Sequence, residues 1–185
     1  MKKAFLILGL MFGLISVPAF AQLQAQGGEK APKVGDDAPN FTFGRNTTSV
    51  AEATSLKDLQ GKKRVLVMFF PGAFTAGCTT EFTEAGQKFD QITGLNIEMI
   101  GISRDLAGAQ RAFKTSVGAK NGFVADPDLT ITTAYDAIRP NSNPKVSNRF
   151  YFLIDEKGKV IWRSVNGSLI PTDQLIADLS KLLAN

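Results

Sequence analysis

The chain has 185 residues, one cysteine and no histidine, and its 21 basic and 17 acidic residues leave a formal net charge of +4. Without histidine there is no imidazole base, no Ser-His-Asp triad and no HExxH zinc site, and a lone cysteine cannot form an internal disulfide, a CxxC dithiol or a Cys-rich metal cluster. Bases alternate with acids (Lys57-Asp58, Asp155-Glu156-Lys157), and the basic run Lys62-Lys63-Arg64 reads as a solvated turn, so no nucleic-acid partner is expected.

Lys2 and Lys3 precede an uncharged apolar stretch over 4–17. Pro18-Ala19-Phe20-Ala21 then places small residues at the minus-three and minus-one positions of a cut before Gln22. The stretch is shorter than the ~20 residues that span a bilayer, and no cysteine stands at the cut to carry a lipid. The expectation is a cleaved signal peptide over 1–21, export to a bacterial periplasm (secretion stays open) and no stable membrane anchor. Residues 22–33, rich in Gln, Gly and Ala, are expected as a flexible leader. One domain over 34–185 follows, because no later stretch has the composition of a linker or repeat.

Val34-Gly35-Asp36-Asp37-Ala38-Pro39 is turn-rich, Phe41 and Phe43 alternate as on a half-buried strand, and Ser55-Leu56-Lys57-Asp58-Leu59 forms a helical turn closed by Gly61. Residues 65–70 are continuously apolar, as in a strand buried on both faces. From Gly77 the period changes: Phe82, Ala85, Gly86, Phe89 and Ile92 recur at three and four residues, which predicts a helix ending at Gly94. A strand over 97–102 precedes a helix capped by Asp105 and running to about Val117. A short strand over 123–125 leads into a helix opened by Asp126-Pro127 and reaching Tyr135.

Residues 138–148 carry Pro140 and Pro144 and read as a loop. Strands over 150–154 and 160–162 flank Asp155-Glu156-Lys157-Gly158 as an antiparallel hairpin. A last helix after Pro171-Thr172 places Leu175, Ile176, Leu179, Leu182 and Leu183 on one face. Strands alternating with helices, then a hairpin and a final helix, predict an α/β sandwich of the thioredoxin type.

The cysteine sits in Pro71-Gly72-Ala73-Phe74-Thr75-Ala76-Gly77-Cys78, between the apolar strand and the helix. A thiol in the first helical turn meets unpaired backbone N–H groups and the positive end of the dipole, and both favour a thiolate. An odd cysteine in an exported chain is chemistry or an accident. The plain alternative is an inert, buried cysteine acting as a small hydrophobe.

Pro71, Thr75 and Cys78 fit the signature Pro-x-x-x-Thr/Ser-x-x-Cys, and the whole block resembles the peroxiredoxin family of AhpC/TSA type, near its atypical branches. Val34-Gly35-Asp36 with Ala38-Pro39 is similar to that family's N-terminal entry. Arg149 before Phe150-Tyr151-Phe152-Leu153-Ile154-Asp155 is similar to its arginine ahead of a Phe-Leu-Ile-Asp strand. The resemblance implies a three-layer α/β sandwich with a central mixed sheet and a thiol-dependent peroxidase acting on hydrogen peroxide or small organic hydroperoxides. It implies no cofactor and no metal.

By the same resemblance, Cys78 is the peroxidatic nucleophile that becomes a sulfenic acid. Thr75 places its hydroxyl against sulfur and peroxide, Arg149 holds a fixed charge beside the sulfur, and Pro71 walls the pocket. The N–H groups of Gly77 and Cys78 face the peroxide. Other readings stay open: Thr75 as a cap, Pro71 as a strand end, Arg149 as a surface charge paired with Asp155, and Glu81 as an ordinary first-turn acid rather than the family's acid after the cysteine.

Two positions depart from the pattern. Thr83 stands where one branch carries a resolving cysteine, and Ala76 replaces a proline. The sulfenic acid must therefore be resolved by an external thiol or a thioredoxin- or glutaredoxin-like reductant. A homodimer is left open. The competing reading is an exported redox sensor or binding protein of the same fold without efficient turnover; a thiol-disulfide oxidoreductase lacks its CxxC.

Overall fold

The uncharged run after Arg64 becomes the middle of the sheet. In the computed structural model, which describes residues 27–184, a 3-10 turn over Leu56–Leu59 leads to β1 (Arg64–Phe69), α1 (Ala76–Gln87), α2 (Phe89–Thr93) and β2 (Ile97–Ser103). Then come α3 (Ala107–Ser116), β3 (Gly122–Ala125), α4 (Thr130–Ala134), β4 (Tyr151–Ile154), β5 (Val160–Ser164) and α5 (Thr172–Leu183). The expected signal peptide over 1–21 lies outside the described residues.

The five strands are ordered β3-β2-β1-β4-β5. β1, β2 and β3 run parallel, β4 pairs antiparallel with β1, and β5 pairs antiparallel with β4, so the sheet is mixed. Parallel neighbours need crossovers, which α1 and α3 supply; the antiparallel pair needs only the turn at Asp155 to Lys159. Successive side chains of β1 serve two cores, as the two-residue strand period requires. Val65, Val67 and Phe69 meet Phe41, Leu56, Tyr135 and Phe152 on one face. Leu66, Met68 and Phe70 meet Phe82, Phe113, Tyr151 and Leu175 on the other.

The apolar stripe of α5 buries Leu175 and Leu179 in that second core, each such leucine worth roughly 1.5–3 kcal/mol of burial. No helix among the described residues is long and apolar enough to cross a membrane.

Several local expectations are corrected. Within the expected leader, residues 27–33 pack: Ala31 is buried, and Arg163 donates to the carbonyls of Ala31 and Pro32 at 2.9 and 3.1 Å. A small apolar side chain against an aromatic core outweighs a polar composition. The segment with Phe41 and Phe43 forms, among the described residues, a single bridge, Thr42 to Ser55, because both rings pack into the core instead of alternating along a strand. The long helix expected from Gly77 breaks at Lys88 into α1 and α2. Asp105 does not cap α3, whose N-cap is Leu106, since its carboxylate is engaged elsewhere. The helix expected from Asp126 shortens to α4, yet the Asp126 carboxylate accepts from the N–H groups of Ile131 and Thr132 at 3.1 and 2.7 Å.

Gly86 explains how closely α1 lies against the turn after α3. A Cβ there would stand 2.8 Å from the carbonyl oxygen of Gly118, a backbone atom that cannot swing aside. Alanine ordinarily strengthens a helix interior; here the clash reverses the sign. Gly86→Ala is expected to destabilise the fold by about 1–3 kcal/mol, read as a lower urea midpoint with an unchanged slope.

Candidate active site

β1 ends at the sheet's centre, and the chain turns sharply into α1. Pro71 follows the strand half-buried, Phe74 takes a left-handed conformation (φ 62°), and Thr75 returns to an extended one as the N-cap of α1. The first intrahelical bond runs from the Thr79 N–H to the Thr75 carbonyl at 2.8 Å. The N–H groups of Ala76, Gly77 and Cys78 therefore belong to the unpaired first turn. Cys78 occupies that turn with no exposed surface, packed in the core of Leu66, Phe70 and Phe82.

Arg149 arrives from the opposite side of β1. The antiparallel register sets Met68 opposite Tyr151, and the Phe69 N–H donates to the Phe150 carbonyl at 2.8 Å. That carries the residue before Phe150 to the end of β1, where the cysteine loop begins. The guanidinium Nη2 donates to Cys78 Sγ at 3.4 Å, and Nη1 pairs with the Glu81 carboxylate. A Cβ on Gly77 would sit 3.3 Å from Arg149 Nη2, so the missing side chain lets the cation approach the helix start. Tyr151, two residues on at the start of β4, donates its hydroxyl to the other Glu81 oxygen at 2.6 Å. The Ile170 N–H donates to Tyr151 Oη at 3.4 Å. Sulfur, guanidinium, carboxylate, phenol and backbone form one chain inside the protein.

Burial pushes the Glu81 carboxyl up to about 7, against the opposing pull of Arg149 and the Tyr151 hydroxyl. Burial also works against the Arg149 charge, but Glu81 and then Cys78 raise its pKa overall, so the cation persists. Burial, followed by the neighbouring Glu81, holds the Tyr151 phenol well above its ordinary range, and it remains a donor. The cation lies against the sulfur, and the Glu81 carboxyl behind it holds the guanidinium in place.

Tyr151→Phe leaves one oxygen of a buried carboxyl without its donor. The expected loss is about 1–3 kcal/mol of stability, seen as a lower melting temperature, with Glu81 moving further up.

The structure brings Cys78, just past the end of β1, into contact with Arg149, just before the paired strand β4. It does not aim Thr75 at the sulfur: its hydroxyl donates to the Gly72 carbonyl at 3.0 Å, closing the loop before the helix. The surface pairing of Arg149 with Asp155 is not formed, since the Asp155 carboxylate accepts from the N–H groups of Lys157 and Lys159. Glu81 is no ordinary first-turn acid; it is buried against Arg149. The sequence alone gives Tyr151 no role beyond that of a strand residue. The available signals are the two-residue step from Arg149 to Tyr151 in one extended segment and the three-residue step from Cys78 to Glu81 on one helix face.

The AhpC/TSA family model matches residues 34–163. A putative peroxiredoxin, bcp, of Coxiella burnetii is 34% identical over 139 residues, 72% of this chain and 89% of that protein. A putative peroxiredoxin of Mycobacterium tuberculosis is 30% identical over 136 residues, 71% of this chain and 84% of its own length. Among solved structures, the reduced 2-Cys peroxiredoxin of Plasmodium vivax superposes with a TM-score of 0.68 at 26% identity, covering 82% of this chain and 96% of that one. A PrxQ mutant of Xylella fastidiosa shares the fold, with a TM-score of 0.69 at 23% identity over 83% of this chain and 96% of that one. The chain belongs to the AhpC/TSA family, the peroxiredoxins, and is a thiol-dependent peroxidase with Cys78 as its single cysteine.

Proposed function

We propose that Cys78 is the peroxidatic residue, that Arg149 stabilises charge at its sulfur, and that Thr75 and Pro71 shape the approach to it. The observation that carries this reading is the Arg149 Nη2 contact to Cys78 Sγ at 3.4 Å in the first turn of α1. The thiolate attacks one oxygen of a hydroperoxide; the S–O bond forms as the O–O bond breaks, and the second oxygen leaves with the electron pair and takes a proton. The products are the Cys78 sulfenic acid and water or an alcohol. An external thiol then attacks the sulfenic sulfur, forming a mixed disulfide and releasing water. A second thiol restores Cys78 and leaves as the oxidised disulfide.

With no surface of Cys78 exposed, the first step suits hydrogen peroxide or a small organic hydroperoxide. The second needs the loop before α1 to open. Thr75, with its hydroxyl on Gly72, would act in the closed state by fixing the loop and by rotating toward a bound peroxide. We further propose export with a cut before Gln22, supported by Lys2-Lys3, the apolar stretch and Ala19-Phe20-Ala21.

The test is mass spectrometry of Cys78 after one equivalent of peroxide with a sulfenic-acid trap. It is followed by recovery of the thiol with glutathione or with a thioredoxin-like dithiol protein. A trapped sulfenic acid that both or either reductant removes supports the cycle; a thiol untouched by peroxide refutes it. An intact mass from the native host that begins at Gln22 supports the export reading, and one retaining Lys2 and Lys3 refutes it.

A further inference from the structure

We propose that Asp105 is a positioning residue: it latches the 71–75 loop shut and so sets how often Cys78 can be reached from outside. This rests on the reading of Cys78 as the peroxidatic group. Asp105 Oδ2 accepts the Ala73 N–H at 2.8 Å, in the middle of the loop. The same oxygen accepts the Ser103 hydroxyl at 2.8 Å. Ser103, at the end of β2, is itself held: Gln110 Nε2 on α3 donates to its hydroxyl at 2.9 Å and to the Val124 carbonyl at 3.0 Å. Ser103 and Gln110 are 0% and 2% exposed. Asp105 lies in the short connection between β2 and α3, and its carboxylate is tied through Ser103 and Gln110 to the end of β2, to β3 and to α3.

What it holds is a strained segment. Phe74, the next residue after Ala73, has φ 62°, a region that disfavours any side chain with a Cβ. Phe74 is 59% exposed, and its ring meets Phe113 of α3 edge-on, with centroids 5.4 Å apart. The local backbone thus favours opening, while a charge-assisted bond to Ala73 and one ring contact oppose it. Opening would uncover the first turn of α1, where Cys78 lies. A tighter latch keeps the sulfur beside Arg149 for the peroxide step, and a looser one admits the reductant. Asp105 sits at that balance.

The experiment uses the reduced full chain and its Asp105→Ala and Ser103→Ala variants. Cys78 alkylation by iodoacetamide is timed in water and in urea up to about 1 M, below unfolding, and oxidation by hydrogen peroxide is timed in parallel. Asp105→Ala is expected to raise alkylation about tenfold, the factor for one charge-assisted bond. The urea dependence should stay flat, because a local opening exposes little surface. Peroxide oxidation should slow in the same variant, and Ser103→Ala should shift both rates in the same directions by less. A merely structural role would leave alkylation unchanged or make it climb with urea along the global slope, and either result overturns the latch. Absence of peroxide oxidation in the unmodified chain, with the alkylation pattern intact, would strike the peroxidatic reading and leave the latch standing.

Discussion

Cys78→Ser is expected to abolish peroxide turnover, with a loss of at least ~10³-fold, or about 4 kcal/mol of barrier. The working nucleophile is a thiolate, and a serine hydroxyl at the same place has no base to take its proton. The chain holds no histidine, and the nearest ionisable partner, Arg149, only donates. The substitution does not threaten the fold to the same degree. The new hydroxyl lies at a position with no exposed surface, but the guanidinium that now donates to sulfur can donate to oxygen. A melting temperature within a few degrees of the unmodified protein together with no thiol-dependent peroxide consumption is the expected pair of results. Unchanged consumption would move the chemistry away from Cys78.

Arg149→Gln is expected to slow the peroxide step by roughly 10- to 100-fold, as the loss of a charge-assisted contact worth about 1–3 kcal/mol predicts. It also strands Glu81, buried and without its cation, which costs about 3–5 kcal/mol of stability at neutral pH. The sign with pH follows from Glu81. Its folded pKa, about 7, lies above the ordinary 4.5, so between those values the folded chain holds a proton that the unfolded chain has released. Stability from this group is complete below about 4.5 and is lost as pH rises through about 7.

Removing Arg149, which pulls that pKa down, extends the loss to higher pH. Urea melts at a series of pH values should therefore fall more steeply for Arg149→Gln than for the unmodified chain. Adding Glu81→Gln should restore stability and flatten the slope without restoring the rate. Stopped-flow peroxide kinetics on the same two proteins separate the two roles; a single substitution that keeps the unmodified rate would remove Arg149 from the reaction.

Much of this is legible in the sequence. The switch from a continuous apolar run to three- and four-residue spacing at Gly77 marks a strand entering a helix, and β1 and α1 lie there. The hairpin and α5 were legible for the same reason, since period and turn residues are local properties. The order of residues 27–33, within the expected leader over 22–33, was not. Its composition is polar, and its order comes from Ala31 packing in the core and from carbonyls that accept Arg163, more than a hundred residues away. Asp105 was misread for a related reason: a cap is the local use of an aspartate before a helix, while its actual partner, Ala73, belongs to another loop.

The sequence by itself determined that this protein has one thiol, no imidazole and no second cysteine, so any redox cycle needs a reductant from outside. It also placed Cys78 at a helix start, because strand and helix periods are written in neighbouring residues. Only the tertiary structure decided the electrostatics around it. Strand register carries Arg149 to the sulfur, and burial raises Glu81 toward neutrality. It also ties Tyr151 to Glu81 and leaves Thr75 on its own loop. These contacts join residues as far apart as 78 and 149, and their energies depend on the water excluded around them. That exclusion exists only once the sheet and its helices have closed.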